Sequence, residues 1–318
     1  MKFEYFSITI AENDANPFFS IKMPVYNKAP YIRDTISSIL NQTDSSYEVI
    51  MIGGASTDDT DIICQEYANT NPDKFRYITQ SGKGVSTARN DGILAAKGKY
   101  IAFLDADDIW IPEYLETMKK LIDDYPDAVF YAGGHIWRYP DGKERNGILP
   151  VTRGYINYFR VSIDYKGIGT LTSWIIYERE TLLKVGLFNT TFIINEDCDL
   201  ATRMALAGCV AYEPKNLGTY QASLPGTLSE RRDFWIPIPA SSELAFTEQT
   251  PEIIEYHEYW IQRVALENIL RGYPNIARKQ LKEVVESYQI RKLILITISY
   301  LPKSISRFLH TTYLRLRD

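Results

Sequence analysis

The segment Tyr100-Ile101-Ala102-Phe103-Leu104-Asp105-Ala106-Asp107-Asp108-Ile109-Trp110 constrains the fold of this chain more than any other. Five apolar or aromatic residues run straight into three carboxylates within four positions, and Lys97-Gly98-Lys99 stands before them. A continuous apolar run of that length suits a strand buried on both faces, which requires helices on either side of a sheet. Three acids at its C-terminal end repel one another and resist desolvation unless a cation sits among them. Mg²⁺ or Mn²⁺ sharing its shell with substrate phosphates is one reason to build such a cluster. A solvated turn in which Asp107 or Asp108 caps a helix starting at Pro112 is the other. The spacing alone favours neither.

The surrounding periodicity supplies the rest of the sheet. Ile21 to Tyr26 predicts a first strand ending in the loop Asn27-Lys28-Ala29-Pro30, and Ile32, Ile36, Ile39 and Leu40 follow helical spacing. Tyr47 to Ile52 predicts a second buried strand. Ser56-Thr57-Asp58-Asp59 predicts a capping box opening a helix with Ile63, Cys64, Tyr67 and Ala68 on one face. Phe75 to Thr79 is a third strand, and Gly82-Lys83-Gly84 turns into a helix over about 86–96. Strands alternating with helices imply an α/β fold with a mostly parallel sheet covered on both faces. Ligands of such sheets sit at the C-terminal strand ends, where Asn27, Gly53-Gly54 and Asp105–Asp108 all fall.

Beyond Pro112, Tyr114, Leu115, Met118, Leu121, Ile122 and Tyr125 predict an amphipathic helix. Ala128 to Ala132, the stretch around Trp137 and Leu171 to Tyr177 predict strands, with a turn at Asp141-Gly142. Short helices are expected over 179–185, stopped by Gly186, and over 196–207, ended by Gly208. Pro225-Gly226 and Pro237/Pro239 are expected to flank a linker. From Glu252 the chain is expected to be helical, with Ile253, His257, Trp260, Ile261, Val264 and Asn268 in one stripe and Ile276, Leu281, Val284 and Val285 following.

Net charge of −5 argues against a nucleic-acid partner for the chain as a whole. Cys64, Cys198 and Cys209 are odd in number and lack CxxC spacing, which suits a reducing, cytoplasmic compartment and no zinc site. The N-terminus is not expected to be a secretion signal, and no run reaches the length that spans a bilayer. The last segment departs in charge: Arg291, Lys292, Lys303, Arg307, Arg315 and Arg317 stand against Asp318 alone. With Leu293–Ile296 and the stripe Ile305, Phe308, Leu309, Tyr313 and Leu316, this basic amphipathic tail is expected to lie on an anionic membrane surface. The alternative is a helix packed back on the domain with its basic face solvated.

Six pieces in order carry a family resemblance: Pro24-Val25-Tyr26-Asn27; Ser37-Ser38-Ile39-Leu40-Asn41-Gln42-Thr43; Ala55-Ser56-Thr57-Asp58-Asp59-Thr60; Gly84-Val85-Ser86-Thr87-Ala88-Arg89-Asn90; Gly98-Lys99 running into the strand and acids above; and Asn195-Glu196-Asp197-Cys198-Asp199-Leu200. Together, over roughly residues 20 to 230, they resemble the family 2 glycosyltransferases, whose fold is the GT-A nucleotide-sugar-binding fold. The resemblance implies a GT-A domain over 1–230, with a nucleotide-sugar-binding half at about 20–109 and an acceptor half at 110–230. A helical C-terminal region over 231–318 would follow. It implies inverting transfer of a sugar from a nucleotide-diphosphate donor, a UDP-sugar first among the candidates, to a glycan or lipid-linked acceptor in polysaccharide or lipopolysaccharide assembly.

On that resemblance Asp105 and Asp107 would hold Mg²⁺ or Mn²⁺ on the diphosphate, while Asp108 either assists or caps the next helix. Pro24, Tyr26, Asn27, Gly54, Lys83 with Gly84, Arg89 and Ala106 would line the donor, with Tyr26 and Asn27 near the nucleobase and Arg89 toward phosphate or ribose. Inversion needs a base on the acceptor side, and the Glu196–Asp197 pair supplies one, Asp197 being the first choice. Arg203 would orient that helix or touch phosphate. Trp110 and Trp174 suit core packing better than stacking on sugars.

Two departures stand out. The family usually carries two acids after the second strand, the second of which typically reads the nucleobase, and here Gly53-Gly54 replaces them. An Arg and a His are often found where this chain has Gln221 and Ser223. Both keep open an alternative in which the GT-A fold serves as a catalytically impaired binding or assembly protein. A nucleotidyltransferase lacks support, since no Gly-rich triphosphate signature occurs.

Overall fold

Apolar residues of period two in the strands and of period 3.6 in the helices assemble one ten-stranded sheet covered on both faces. The computed structural model describes residues 16–165, 172–222, 224, 236–239, 250–284 and 289–301. The first half is a series of strand–helix units: β1 (Phe19–Pro24), α1 (Ile32–Leu40), β2 (Tyr47–Gly53), α2 (Thr60–Thr70), β3 (Phe75–Thr79), α3 (Val85–Ala95) and β4 (Tyr100–Phe103). All pair in parallel in the order β3-β2-β1-β4. The winding therefore reverses at β1, and the crevice of an open α/β sheet opens where it does so, beyond the C-terminal ends of β1 and β4.

The second half continues with β5 (Ile109–Trp110), α4 (Tyr114–Asp124), β6 (Ala128–Arg138), β7 (Glu144–Asn146), β8 (Gly154–Ile156), α5 (Tyr158–Asp164), β9 (Ile175–Glu178), α6 (Arg179–Val185), α7 (Glu196–Ala207) and β10 (Cys209–Gln221). β9 lies antiparallel between β4 and β6, whereas β6 and β10 are parallel. Helices α8 (Pro251–Leu270), α9 (Pro274–Gln280) and α10 (Gln289–Ile298) follow. Among the described residues no helix is long and apolar enough to cross a membrane.

Alternation along β4 shows how the strands divide the core. Ile101 and Phe103 join Ile50, Ile52 and Phe130 on the face covered by α3, α6, α7 and α8. Tyr100, Ala102 and Leu104 join Met23, Val49 and Met51 on the face covered by α1, α2 and α4. Both Trp110 and Trp174 are core residues: Trp110 stacks on Tyr114 with ring centroids 4.0 Å apart, and Trp174 stacks on His135 at 4.4 Å.

Several local expectations change. The stretches around 130 and Trp137 form one strand, because β6 pairs along its length with β10, which accommodates it through bulges. The strand expected from Leu171 starts at Ile175, since Thr172–Trp174 makes a tight 3₁₀ turn; Leu171 itself lies outside the described residues. Neither Asp107 nor Asp108 caps α4, whose N-cap is Glu113; the short strand β5 intervenes and pairs with β10 at Gly218–Thr219. A Cβ on Gly218 would stand 2.3 Å from the carbonyl oxygen of Ile109, so only glycine lets these two strands meet. At α2 the expected box is shared differently: the Asp58 carboxylate accepts from the Thr60 N–H, and Asp61 accepts from the N–H and hydroxyl of Ser56.

The linker expected between Pro225 and Pro239 ends in packed structure. Ile236, Pro237, Ile238 and Pro239 are buried, and Asn268 of α8 holds both the N–H and the carbonyl of Ile236, at 2.7 and 2.9 Å. Pro225, Gly226 and the boundary expected near residue 230 lie outside the described residues. So do Val285 and the tail residues Lys303, Ile305, Arg307, Phe308, Leu309, Tyr313, Arg315, Leu316 and Arg317. Leu293 and Ile294 of α10 are exposed.

Candidate active site

Three loops meet at the crevice. The β1–α1 loop brings Tyr26, Asn27 and Lys28; the β2–α2 loop brings Gly54 to Thr60; the β4–β5 loop brings Asp105, Ala106, Asp107 and Asp108. The first two are tied together by their own polar groups. Asn27 sits at a positive φ of 51° and its side-chain oxygen accepts from the Thr57 N–H at 2.8 Å. Thr60 Oγ1 accepts from the Lys28 N–H at 2.7 Å, and Asp58 accepts from the Ala29 N–H at 3.1 Å. Tyr26 is left 59% exposed at the rim, free to meet a planar group.

The acids that end β4 divide into three different environments. Asp108 is buried; it accepts from the Ser173 hydroxyl at 2.5 Å and from the Gln221 N–H at 3.2 Å. Burial, with Asp105 and Asp107 beside it, lifts its carboxyl well above the usual carboxylate range. Asp107 lies at the crevice wall with Lys28 Nζ 2.5 Å from its Oδ2. Burial raises its pKa, and Lys28 opposes the rise. Asp105 is the most open, its side chain 35% exposed, and it takes one arm of Arg89 at 3.0 Å.

Arg89, rising from α3, is itself buried and serves two acids at once. One guanidinium nitrogen donates to Asp105 and to Thr172 Oγ1, while the other reaches Glu196 Oε1 at 2.8 Å. This second contact brings α7 to the crevice, since Glu196 and Asp197 occupy the first turn of that helix after Asn195 at a φ of 66°. Burial, then the neighbouring Glu196, pushes Asp197 up to about 7, against the pull of Arg89. Glu196 is also raised by burial. Behind them Arg203 grips Asp199 at 2.8 Å and donates to the carbonyls of Val185, Gly186 and Leu187. That fixes α7 to the end of α6, so Arg203 orients the helix and is spent in doing so.

The remaining expected donor residues stand on the same edge in unequal settings. Gly54 is exposed with a φ of +109°, and a Cβ there would press 2.8 Å against Thr79, so an acidic side chain at this position would be strained. Lys83 is exposed and Gly84 has a φ of +92°. Pro24 closes β1, and the Ala106 methyl is buried in the core, leaving only its backbone for a ligand. Gln221 contributes its N–H to Asp108; Ser223 lies outside the described residues.

Sequence reasoning missed three participants. Ser173 links the acid loop to β9, donating to Asp108 and accepting from the Asp105 N–H at 3.0 Å. Thr172 steadies Arg89. Neither has a local signal, because each acts across more than sixty residues of chain. Lys28 did have one: it is the only charged side chain between Pro24 and Pro30.

Among the described residues no three His, Cys, Asp or Glu side chains gather to hold a metal ion. The donor set nevertheless fits a hard divalent cation, since Mg²⁺ takes one or two carboxylates and completes its shell with phosphate oxygens and water. Asp105 and Asp107 are the pair that can serve; Asp108 is spent on Ser173 and Gln221.

Comparison with known proteins decides the family. The profile described as Glycosyl transferase family 2 matches residues 20–184, just over half of the chain. The chain belongs to this family. The matched region contains the crevice loops, Arg89 and the β4 acids. Within the family, the minor teichoic acid biosynthesis protein GgaB of Bacillus subtilis (strain 168) is 37% identical over 120 residues, 37% of this chain but only 13% of GgaB. Among solved structures, S. aureus TarS 1-349 in complex with UDP-GlcNAc superposes with a TM-score of 0.61 at 18% identity, covering 87% of this chain and 79% of that one. The mannosyltransferase PcManGT from Pyrobaculum calidifontis, in complex with GDP-Man and Mn²⁺, gives 0.58 at 18%, covering 95% and 87%. These likenesses show a shared fold, the GT-A glycosyltransferase fold expected from the sequence.

Proposed function

We propose that this family 2 member transfers a sugar from a nucleoside-diphosphate sugar to an acceptor hydroxyl with inversion, in the assembly of a cell-surface polysaccharide. The observation that carries the reading is the run of contacts from Asp105 through Arg89 to Glu196, which brings the neighbouring Asp197, pushed up to about 7 by burial and Glu196, to the crevice side of α7. A base poised near the working pH is half ionised and still takes a proton readily.

In this scheme the acceptor hydroxyl gives its proton to Asp197 as its oxygen forms the new bond to the anomeric carbon. The bond from that carbon to the diphosphate breaks on the opposite face, and its electron pair leaves with the diphosphate. Asp107 and Asp105 would hold a divalent cation, Mg²⁺ or Mn²⁺, whose charge offsets that of the leaving group. Tyr26 and Asn27 bind the nucleoside from the rim of β1, with Pro24, Gly54 and Ala106 forming the backbone floor and Lys83-Gly84 closing from the β3–α3 loop. Glu196 is the holder of Arg89 and Asp197 the base. Residues 20–109 then form the donor half, 110–230 the acceptor half, and the helices beyond 231 a further region whose basic tail would rest on the inner face of the membrane. TarS with UDP-GlcNAc and PcManGT with GDP-Man and Mn²⁺ make a UDP-sugar, with a divalent cation, the first donor to try.

Asp197→Asn should abolish transfer, by about 10³-fold or more, while UDP still binds in calorimetry. Asp107→Ala should lose the Mn²⁺-dependent part of UDP binding. Turnover surviving in Asp197→Asn would overturn the assignment of the base. In the wild type, kcat/KM should rise with pH through about 7 as the Glu196–Asp197 pair completes its ionisation.

A further inference from the structure

We infer that Lys28 is a resident counter-ion of Asp107 that must hand the carboxylate over to the divalent cation, and that its ammonium then serves the donor's diphosphate. The inference rests on reading Asp107 as a cation ligand and goes beyond it by naming what the cation has to displace.

The geometry is specific. Lys28 Nζ lies 2.5 Å from Asp107 Oδ2, with side-chain exposures of only 24% and 13%. The ammonium engages only Oδ2, but a divalent cation taken up by the same carboxylate would stand close to it and be repelled, so the two positive charges compete for Asp107. The pair is not interchangeable with its neighbours. Asp105 is served by Arg89 and Asp108 by Ser173 and the Gln221 N–H, so Lys28 is the cation assigned to Asp107 among the described residues. This explains how three acids in four positions coexist in the folded chain.

The backbone under Lys28 is fixed. Its own N–H is held by Thr60 at 2.7 Å, and the next N–H by Asp58 at 3.1 Å. Exchange therefore falls to the side chain alone, a charge on a four-carbon stem that swings about a pinned Cα. Within that arc the natural acceptors are the phosphate oxygens that arrive with the cation at Asp107. The ammonium thus opposes the bare cation and favours the cation–diphosphate complex, which makes the two ligands bind together better than singly.

Two measurements on the full chain test this with opposite expected signs. Titration of Mn²⁺ alone, followed by the paramagnetic resonance of the free ion, should show Lys28→Met binding Mn²⁺ about fivefold more tightly than the wild type, the gain expected from removing one partly buried ion-pair competitor. Calorimetry of UDP with saturating Mn²⁺ should show the same variant binding UDP about tenfold more weakly. Lys28→Arg should stay near the wild type in both, and Lys28→Gln provides a second neutral variant should Met disturb the fold. Neutral variants that bind Mn²⁺ no more tightly than the wild type, while Asp107→Asn binds it more weakly, would overturn the exchange and leave the metal site standing. Asp107→Asn binding Mn²⁺ as the wild type does would overturn both.

Discussion

Asp197 keeps a carboxyl where burial disfavours its charge, and this cost is measurable apart from catalysis. Its folded pKa of about 7 lies above the ordinary carboxylate value near 4, so between those values the folded chain binds more protons than the unfolded one. The stability associated with this group is then complete below about pH 4 and is lost as the pH rises through 7. Asp197→Asn removes the ionisation and should stabilise the fold at pH 8 by on the order of 1–2 kcal/mol, with no gain at pH 4. Urea unfolding at the two pH values checks it; equal stability of the two proteins at pH 8 would contradict the burial argument. Arg203 illustrates the opposite use of a charge at the same helix, since its ion pair with Asp199 and its three carbonyl contacts anchor α7 to the rest of the fold.

At the scale of elements, the acid loop depends on β5, and β5 depends on Gly218. Gly218→Ala would drive a methyl group into the Ile109 carbonyl and against Trp174 Nε1, 3.0 Å away. The strand cannot give way without moving Asp108 just before it. We expect a loss of about 2 kcal/mol or more in thermal unfolding together with weaker UDP binding; a variant that melts like the wild type would show that β5 has slack. The parallel half of the sheet was legible in the sequence because β1, β2 and β4 are buried on both faces and β1, β2 and β3 are each followed by a helix. β5 was not, being two residues long and held by a partner more than a hundred residues away. The same contrast holds in the site. Asp105, Asp107, Glu196 and Asp197 lie at element ends that periodicity locates, whereas the pairing of Arg89 with Glu196 spans 107 residues and has no local trace. The acids of 105–108 are equivalent on paper, and only the fold assigns one to Ser173, one to Lys28 and one to Arg89.

For the whole molecule, α8 is part of the same core as α7. Ile253, Tyr256, Trp260, Ile261 and Val264 pack with Leu200, Ala201 and Met204, and the Tyr256 and Thr202 hydroxyls meet at 2.7 Å. The helices beyond residue 231 therefore support the α7 helix before any tail begins. The proposed membrane contact belongs to the basic residues from Arg291 onward, but Leu295 of α10 and the following Ser299 are buried against α8 and α9, so the cut that spares the core falls after them. A chain ending at residue 301 should release anionic vesicles in co-sedimentation while keeping its thermal midpoint, and equal retention of vesicles by both lengths would remove the tail from that role. Arg89 lies between the two halves of the crevice, and one guanidinium cannot change its allegiance on one side without being noticed on the other. A cation held at Asp105, as proposed, would loosen that arm of Arg89 and leave the arm on Glu196, beside Asp197, as its remaining acidic partner. On the proposed reading, the donor side and the acceptor side of the crevice would then answer to a single buried charge.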